Sequence, residues 1–345
     1  MKKVCICAHF GEGKELWNGQ SVKAHTIASE LEKNFGQDQV IRIDTHGGLL
    51  NIAKATMQLV KASIDCGNII IMPGENGLRF FVPIIEILGL FIKRSKHYIV
   101  VGGWLHTYLQ SHSFVKKCLY KWNYIYVETE KMKTDLVGEG YDNIVILHNC
   151  KDMVILPEEE LTYNLTVPYK LCTFSRVLKE KGIEEAIHAV TKVNEKNEQI
   201  IYTLDIYGQL DVNYKERFDQ LQRTFPDYIK YRGTIPAGTL TDVLSNYFLL
   251  LFPTYYEGEG FAGTLIDAYA AGVPVIASDW KYNKEFVDAD VGYIVKAKDI
   301  GELSILLDQL KDDVSEVNGK KAACVRRALC YTNDAILSDL FNRLD

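Results

Sequence analysis

The sequence predicts an α/β protein of two doubly wound parallel-sheet domains facing a cleft. Three observations predict it. Short apolar, β-branched runs alternate with longer amphipathic segments from end to end, as parallel strands covered on both faces by helices require. The 345 residues suffice for two domains of ordinary size. Between two such series lies NCKDMVILPEEELTYNLTVP (149–168), which has an acidic run, two prolines and no clear period.

In the first half, strands are expected at 4–8 (VCICA), 40–44, 68–72, 98–103 (YIVVGG), 124–128 and 144–147. A helix from Ser21 to Phe35 sets Val22, Ile27, Leu31 and Phe35 on one face. In the second half, strands are expected at 170–175, 202–208, 228–233, 247–253, 273–278 and 292–295. Residues 1–150 then form the first domain and 151–329 the second. A last helix, Asp334 to Leu344, has Ile336, Leu337, Leu340, Phe341 and Leu344 on one side, and is expected to cross back onto the first domain. Ligands of such sheets sit beyond the carboxyl ends of the strands, which here means the cleft.

Composition narrows the class. Hydrophobic residues at 47% and charged ones at 24% suit a soluble globular protein, and a formal net charge of −6 argues against binding nucleic acid by phosphate neutralisation. The eight cysteines form no CxxC pair, so reduced thiols are expected rather than a zinc or redox motif. No leader and no membrane span is expected, which predicts a cytoplasmic protein. The most apolar helix, LRFFVPIIEILGLFIKR (78–94), contains Pro83 and Glu86 and reaches Lys93, Arg94 and Lys96. It reads either as a buried crossover helix or as a shallow interfacial contact.

The chemistry concentrates in FPTYYEGEGFAGTLIDAYAAGVPVIASDW (252–280). An apolar strand ends at Pro253, GEGFAG follows at the carboxyl edge, and a helix runs from about Leu265 to Ala271, stopped by Gly272 and Pro274. Amides around Phe261 to Leu265 therefore open a helix N-terminus beneath a glycine-rich loop, a site suited to phosphate. Glu257 and Glu259 in that loop would meet neutral hydroxyls or a cation. Phosphate beside hydroxyls points to a nucleotide sugar. Thr264 and Asp267 also have capping-box spacing, so Asp267 either meets the ligand or stabilises its own helix.

In the first half, the loop from His9 to Asn18 is long for a strand-to-helix connection. Gly11 and Gly13 mimic a dinucleotide fingerprint but lack its third glycine. PGENG (73–77) leaves another strand end, so His9 and Glu75 are taken as acceptor-side residues. His106 follows the 98–103 strand, either facing the cleft or serving as a surface or capping group.

Residues 259–276 resemble the signature of glycosyltransferase family 4, retaining enzymes of the GT-B fold with two Rossmann-like domains. The match runs from Glu259-Gly260-Phe261-Ala262 to Asp267-Ala268-Tyr269-Ala270-Ala271-Gly272-Val273-Pro274-Val275-Ile276. Ala262 stands where the family has glycine, and Asp267 where it has a second glutamate. TFSRVLKEKGIEEAI (173–187) resembles the family's Gly-Arg-Leu…Lys-Gly segment. The resemblance implies that Glu259 contacts the donor sugar, Asp267 the ribose, and Arg176 and Lys181 the diphosphate. It implies a donor site bordered by Gly260, Phe261, Ala262, Gly263 and Thr264, with Gly233 near the base, Gly19 near the phosphates and His106 near the sugar. Lys179, Glu180, Lys181 and Glu184 could equally be a solvated helix start.

The function so implied is transfer of a sugar from a nucleotide-diphosphate sugar to a saccharide or lipid-linked saccharide acceptor, as in bacterial polysaccharide assembly. No metal and no cofactor is expected beyond the co-substrate. The expected place is the cytoplasm, with peripheral contact at the inner face of the membrane. A nucleotide-sugar epimerase of the same architecture and a non-catalytic nucleotide-sugar-binding subunit are the competing readings.

Overall fold

A computed structural model of the chain describes residues 3–11, 19–236 and 238–344. The chain forms two compact units, Met1–Asp152 with Tyr331–Asp345, and Met153–Cys330.

The first unit contains, in order, β1 (Lys3–Ala8), α1 (Gly19–Phe35), β2 (Val40–Asp44), α2 (Leu49–Asp65), β3 (Cys66–Met72) and α3 (Glu75–Gly89). It continues with β4 (Ser95–Ile99), α4 (Leu105–Ser111), α5 (Ser113–Leu119), β5 (Tyr124–Val127), α6 (Glu130–Gly138) and β6 (Ile144–Ile146). The strands form one parallel sheet in the order β2-β1-β3-β4-β5-β6. Right-handed connections put α1 on one face and α2 and α3 on the other. Both faces are covered, so β1 is buried from Val4 to Ala8 and shows no alternation of polar residues.

Three expectations shift. The 98–103 strand is instead Ser95–Ile99, because His97 is a core residue and Gly102, at φ 90°, leaves the extended path. On α1 it is Ser21 and Lys23 that are buried while Val22 is exposed, since Lys23 has a partner inside the fold. The apolar 78–94 helix ends at Gly89, and the residues up to Arg94 form the turn into β4.

His97 is fully buried, with Nε2 at 2.8 Å from Ser95 Oγ and 3.2 Å from Asn68 Oδ1, and Nδ1 at 3.1 Å from the Tyr126 hydroxyl. Burial, aided by the Arg343 charge, lowers its pKa from 6.5 to about 4. Between those values the unfolded chain takes up a proton that the folded chain refuses. Stability is therefore full above the ordinary histidine pKa and falls as the pH drops toward 4, by about 3 kcal/mol. Urea unfolding at about pH 7 and about pH 4.5 should show wild type losing more stability than His97→Gln over this interval. Equal losses would contradict the assignment.

The second unit contains β7 (Tyr169–Phe174), α7 (Ile183–Lys196), β8 (Tyr202–Tyr207), α8 (Lys215–Gln222), β9 (Ile229–Gly233), α9 (Leu240–Leu244) and β10 (Leu249–Phe252). There follow α10 (Gly263–Ala270), β11 (Val275–Ser278), α11 (Asn283–Phe286), β12 (Gly292–Val295), α12 (Ile300–Leu310), α13 (Val314–Gly319) and α14 (Lys321–Leu329). These strands also form one parallel sheet, ordered β12-β11-β10-β7-β8-β9. Both sheets are thus doubly wound, the fold class expected.

The last helix, α15 (Asn333–Asn342), packs on the first unit. Leu337, Leu340 and Leu344 join the core of β1 and α1, Phe341 meets Phe35 edge-on, and Asn68 Nδ2 donates to Leu344 O at 2.7 Å. Seven cysteines are buried and Cys330 is exposed. Among the described residues no helix is long and apolar enough to cross a membrane.

Candidate active site

In the second sheet the chain lays β8 and β9 on one side of β7, then β10, β11 and β12 on the other. The order reverses between β7 and β10. Their outgoing connections diverge, and the crevice at such a switch point is where doubly wound sheets take ligands. The connection after β7 carries Arg176 and Lys181. That after β10 carries Glu259 and the glycine-rich loop.

Two glycines hold these connections close. Gly182, at φ 73°, caps α7 where a Cβ would lie 2.2 Å from Pro253 O, so only glycine lets the Lys181 turn approach the end of β10. Gly208, at φ 135°, does the same beside Ser175, where a Cβ would meet the carbonyl oxygen at 1.7 Å.

Lys181 and Glu259, far apart in sequence, form an ion pair. Lys181 Nζ donates to Glu259 Oε2 at 2.6 Å, and Thr254 Oγ1 donates to the same oxygen at 2.8 Å. The two side chains are only 12% and 8% exposed, so the pair is largely withdrawn from water. Nζ also sits over the rings of Tyr256 and Phe252, at 5.0 and 5.6 Å from their centroids. Both bonds to Glu259 fall on Oε2. Its other oxygen, Oε1, has no partner among the described residues. Thr254 is itself fixed, buried, with its carbonyl accepting from Ser278 Oγ.

Arg176 differs. Its side chain is 46% exposed and its Nε lies 3.8 Å from Asp211 Oδ2, a loose pairing that a ligand can replace. The solvated-helix alternative for Lys179 to Glu184 divides accordingly: Lys179 and Glu180 are exposed, whereas Lys181 turns inward.

Thr264 does not cap α10. The N-cap of α10 is Ala262, which has no side-chain oxygen, and Thr264 spends its hydroxyl on Phe174 O at 2.7 Å. Thr264 thereby anchors the start of α10 to the end of β7. Asp267 is buried, 4% exposed, in the second turn. Ala262 adopts extended backbone (φ −66°, ψ 123°), which needs no glycine, so this departure from the family pattern is sterically neutral. Gly260 is buried and Gly263 opens the helix, where the Leu265 amide already donates to Ala262 O at 3.0 Å. Phe261 is a core ring, stacked on Phe286 at 3.7 Å. Gly233 ends β9, with β8 between it and β7.

In the first unit the order reverses between β1 and β3. His9 follows β1, Glu75 opens α3 after β3, and Gly19 opens α1. A Cβ on Gly19 would meet nothing within 4 Å, so the described chain around it does not require glycine there. Glu75 is exposed. Residues 12–18, including Gly13 and most of the long loop, lie outside the described residues.

His9 Nε2 lies 3.0 Å from His46 Nδ1, and burial, then the neighbouring His46, lower the His9 pKa below 6.5. Asp44 Oδ1 accepts from the amides of Phe10, Gly11 and His46 at 2.9, 3.1 and 2.8 Å, which locks this end of β1 to β2.

His106 lies in the first turn of α4, after β4. Its Nε2 is held by Glu139 at 2.9 Å, and Lys116 holds the other oxygen of that carboxylate at 2.7 Å. Glu139 closes α6, so the ring is held by a partner from another helix. Sequence reasoning missed Thr254, His46, and the buried pair Lys23–Glu128 (2.6 Å) beyond the carboxyl end of β5. A hydroxyl just after Pro253 was the one available signal, for Thr254. Among the described residues no group of three His, Cys, Asp or Glu side chains could hold a metal ion.

Comparison with known proteins bears on the same unit. Residues 164–326 match the family model "Glycosyl transferases group 1". The GtfA subunit of the UDP-N-acetylglucosamine–peptide N-acetylglucosaminyltransferase of Streptococcus gordonii is 32% identical over 133 residues, 38% of this chain and 25% of that protein. The amylovoran biosynthesis glycosyltransferase AmsK of Erwinia amylovora is 26% identical over 177 residues, 49% of this chain and 43% of that protein. The chain thus spans less than half the length of these relatives. HepE of Anabaena, solved with UDP and glucose, superposes with a TM-score of 0.75 at 14% identity, over 100% of this chain and 99% of that one. Sucrose-phosphate synthase of Thermosynechococcus elongatus gives 0.75 at 15% identity with the same coverage. These whole-chain likenesses show the fold, the two doubly wound domains of the GT-B class.

Proposed function

We propose, from a second unit that matches the group 1 glycosyl transferase model, that the chain moves a sugar from a nucleoside-diphosphate sugar to an acceptor hydroxyl. The observation that carries the reading is the crevice between β7 and β10. There a buried carboxylate keeps one oxygen open beside a lysine, a half-exposed arginine and a helix N-terminus. A nucleoside-diphosphate sugar offers the complement, an anionic diphosphate next to neutral hydroxyls.

In this reading Glu259 Oε1 accepts from a donor-sugar hydroxyl while Lys181 and Arg176 face the diphosphate. The bond between the anomeric carbon and the diphosphate oxygen breaks, and the acceptor oxygen bonds to that carbon. The negative charge that develops on the departing oxygen is stabilised by the two cations. The acceptor's proton passes to that oxygen, so attack and departure share one face and configuration is retained. The retaining assignment rests on the signature at 259–276. Arg176 and Lys181 fill the charge role of a divalent cation. Similarity to an amylovoran biosynthesis glycosyltransferase supports a saccharide acceptor, and a lipid-linked saccharide is the form we propose beside a free one.

A thermal-shift panel of nucleoside diphosphates and nucleotide sugars, followed by assay of diphosphate release, tests the reading. One nucleotide family should raise the melting temperature, by about 2.7 kcal/mol of stabilisation at a hundredfold excess over Kd. Diphosphate release should rise with a saccharide acceptor. No shift with any nucleotide would overturn the proposal, and interconversion of the sugar without acceptor would replace it by epimerisation. Binding without turnover on any acceptor would make the chain a binding subunit.

A further inference from the structure

The turn that delivers Glu259 is held by residues of the neighbouring connection. Tyr256 O accepts from the Glu259 amide at 3.1 Å, which closes Tyr256-Glu257-Gly258-Glu259 as a β-turn. Gly258 leaves no room for a side chain, since a Cβ would lie 2.7 Å from the Tyr256 ring. Tyr256 N donates to Thr254 Oγ1 at 3.2 Å, and that hydroxyl donates in turn to Glu259 Oε2. The Tyr256 ring faces Lys181 Nζ. One short turn therefore joins the Glu259 backbone to both partners of its carboxylate.

Two consecutive residues grip this turn. β11 is the neighbour of β10, and both connections leave the carboxyl edge of the sheet. After β11, Trp280 Nε1 donates to Tyr256 O at 2.8 Å, so that carbonyl has two donors, the turn's own amide and the indole. Lys281 Nζ meets Glu257 Oε2, in the second position of the turn, at 2.7 Å. Glu257 is 76% exposed, which makes that ion pair the weaker hold and the indole bond the stronger. Lys281 sits at φ 49°, a left-handed conformation that a lysine keeps only where its surroundings impose it. The connection is itself pinned: Asn283 Nδ2 donates to Ser278 O at 3.0 Å, and Ser278 Oγ donates to Thr254 O.

We propose that Trp280, supported by Lys281, is a positioning residue for sugar transfer: its indole N–H fixes the Tyr256 carbonyl and, through the turn, the point at which Glu259 Oε1 meets the donor sugar. The inference deepens the transferase reading and rests on it. Glu259 is anchored through Oε2, so the direction of Oε1 follows the backbone at 259. A misplacement of about 1 Å in a group that orients the reacting sugar can cost about a hundredfold in rate. Arg176 and the start of α10 lie outside this turn, so the hold on a diphosphate does not run through Trp280.

Trp280→Phe keeps an aromatic ring and removes the N–H. Calorimetric titration and steady-state rates test it with the nucleoside diphosphate and matching nucleotide sugar that the thermal-shift panel selects, UDP and UDP-glucose being the first pair. The variant should bind the intact nucleotide sugar about tenfold more weakly and turn over about tenfold to a hundredfold more slowly. Free nucleoside diphosphate should bind as to wild type, at an unchanged melting temperature. Added to Glu259→Gln, Trp280→Phe should cause no further loss of nucleotide-sugar affinity, because one residue acts through the other. Lys281→Met, which breaks the exposed Glu257 pair, should show the same ligand pattern at about twofold to threefold. A purely structural role predicts a lower melting temperature and equal losses for both ligands, and that result overturns the proposal. So does a wild-type rate in Trp280→Phe, or a loss that simply adds to that of Glu259→Gln. Failure of Trp280→Phe to fold leaves Lys281→Met to decide, and wild-type nucleotide-sugar affinity there overturns the proposal. These outcomes, on a wild type that binds and turns over, remove the role of Trp280 alone. A wild type that binds no nucleotide overturns the transferase reading and this inference with it.

Discussion

Arg176→Ala is expected to lower turnover by about two to three orders of magnitude at an unchanged melting temperature, whereas Lys181→Ala lowers both. The two cations differ in their surroundings. Arg176 is half-exposed and only loosely paired, so its removal leaves no buried group stranded. Lys181 is the ion-pair partner of a buried carboxylate, and truncating it leaves the Glu259 charge with no cation and only the Thr254 hydroxyl on Oε2, in surroundings that water barely reaches. Breaking such a pair from one side costs about 3 kcal/mol. The double variant Lys181→Met/Glu259→Gln removes both charges and should recover most of that stability without recovering turnover. Urea unfolding and steady-state rates on all three variants decide the matter. A Lys181→Ala protein as stable as wild type would mean that the pair is not formed in solution. Near-normal turnover of Arg176→Ala would take Arg176 out of the mechanism.

The second large effect separates the two acids of the loop. Glu259→Gln keeps the size of the side chain but replaces an acceptor oxygen with a donor group. It should weaken the intact nucleotide sugar and slow transfer, while free nucleoside diphosphate, having no sugar, binds nearly as to wild type. Asp267→Asn should weaken both ligands, by about tenfold to a hundredfold, since both carry the ribose. If Asp267 instead only supports its own helix, Asp267→Asn should lower the melting temperature and leave nucleotide affinity intact. Calorimetric titration of each variant with both ligands is the measurement. Normal nucleotide binding by Asp267→Asn would remove the ribose assignment.

Much of the second unit was readable along the chain because its site is built of local connections. A strand ending at Phe252, a glycine-rich loop and the helix Gly263–Ala270 are consecutive in sequence, and each has its own signal. The first unit was harder to read. Its strand at Ser95–Ile99 opens with Ser-Lys-His, which becomes a core strand only because Asn68 and Tyr126 satisfy His97 from neighbouring strands. His106 stands after a strand, and only the fold shows that Glu139, brought near by α6, is its partner.

The sequence by itself determined the alternation of strand and helix, and hence two doubly wound sheets. It also determined the residue types at their edges, because periodicity and turn chemistry act over a few neighbours. Only the tertiary structure decided which of those residues meet. Lys181 and Glu259 pair across the switch point between β7 and β10, and Lys23 pairs with Glu128 inside the first unit. Lys321 is buried, donates to Tyr247 O at 2.9 Å, and has its pKa lowered by burial to about 8. A charged side chain reads as solvent-facing in any local window. Whether it is instead withdrawn from water depends on a partner contributed by a distant strand or helix, and only the folded chain supplies that partner.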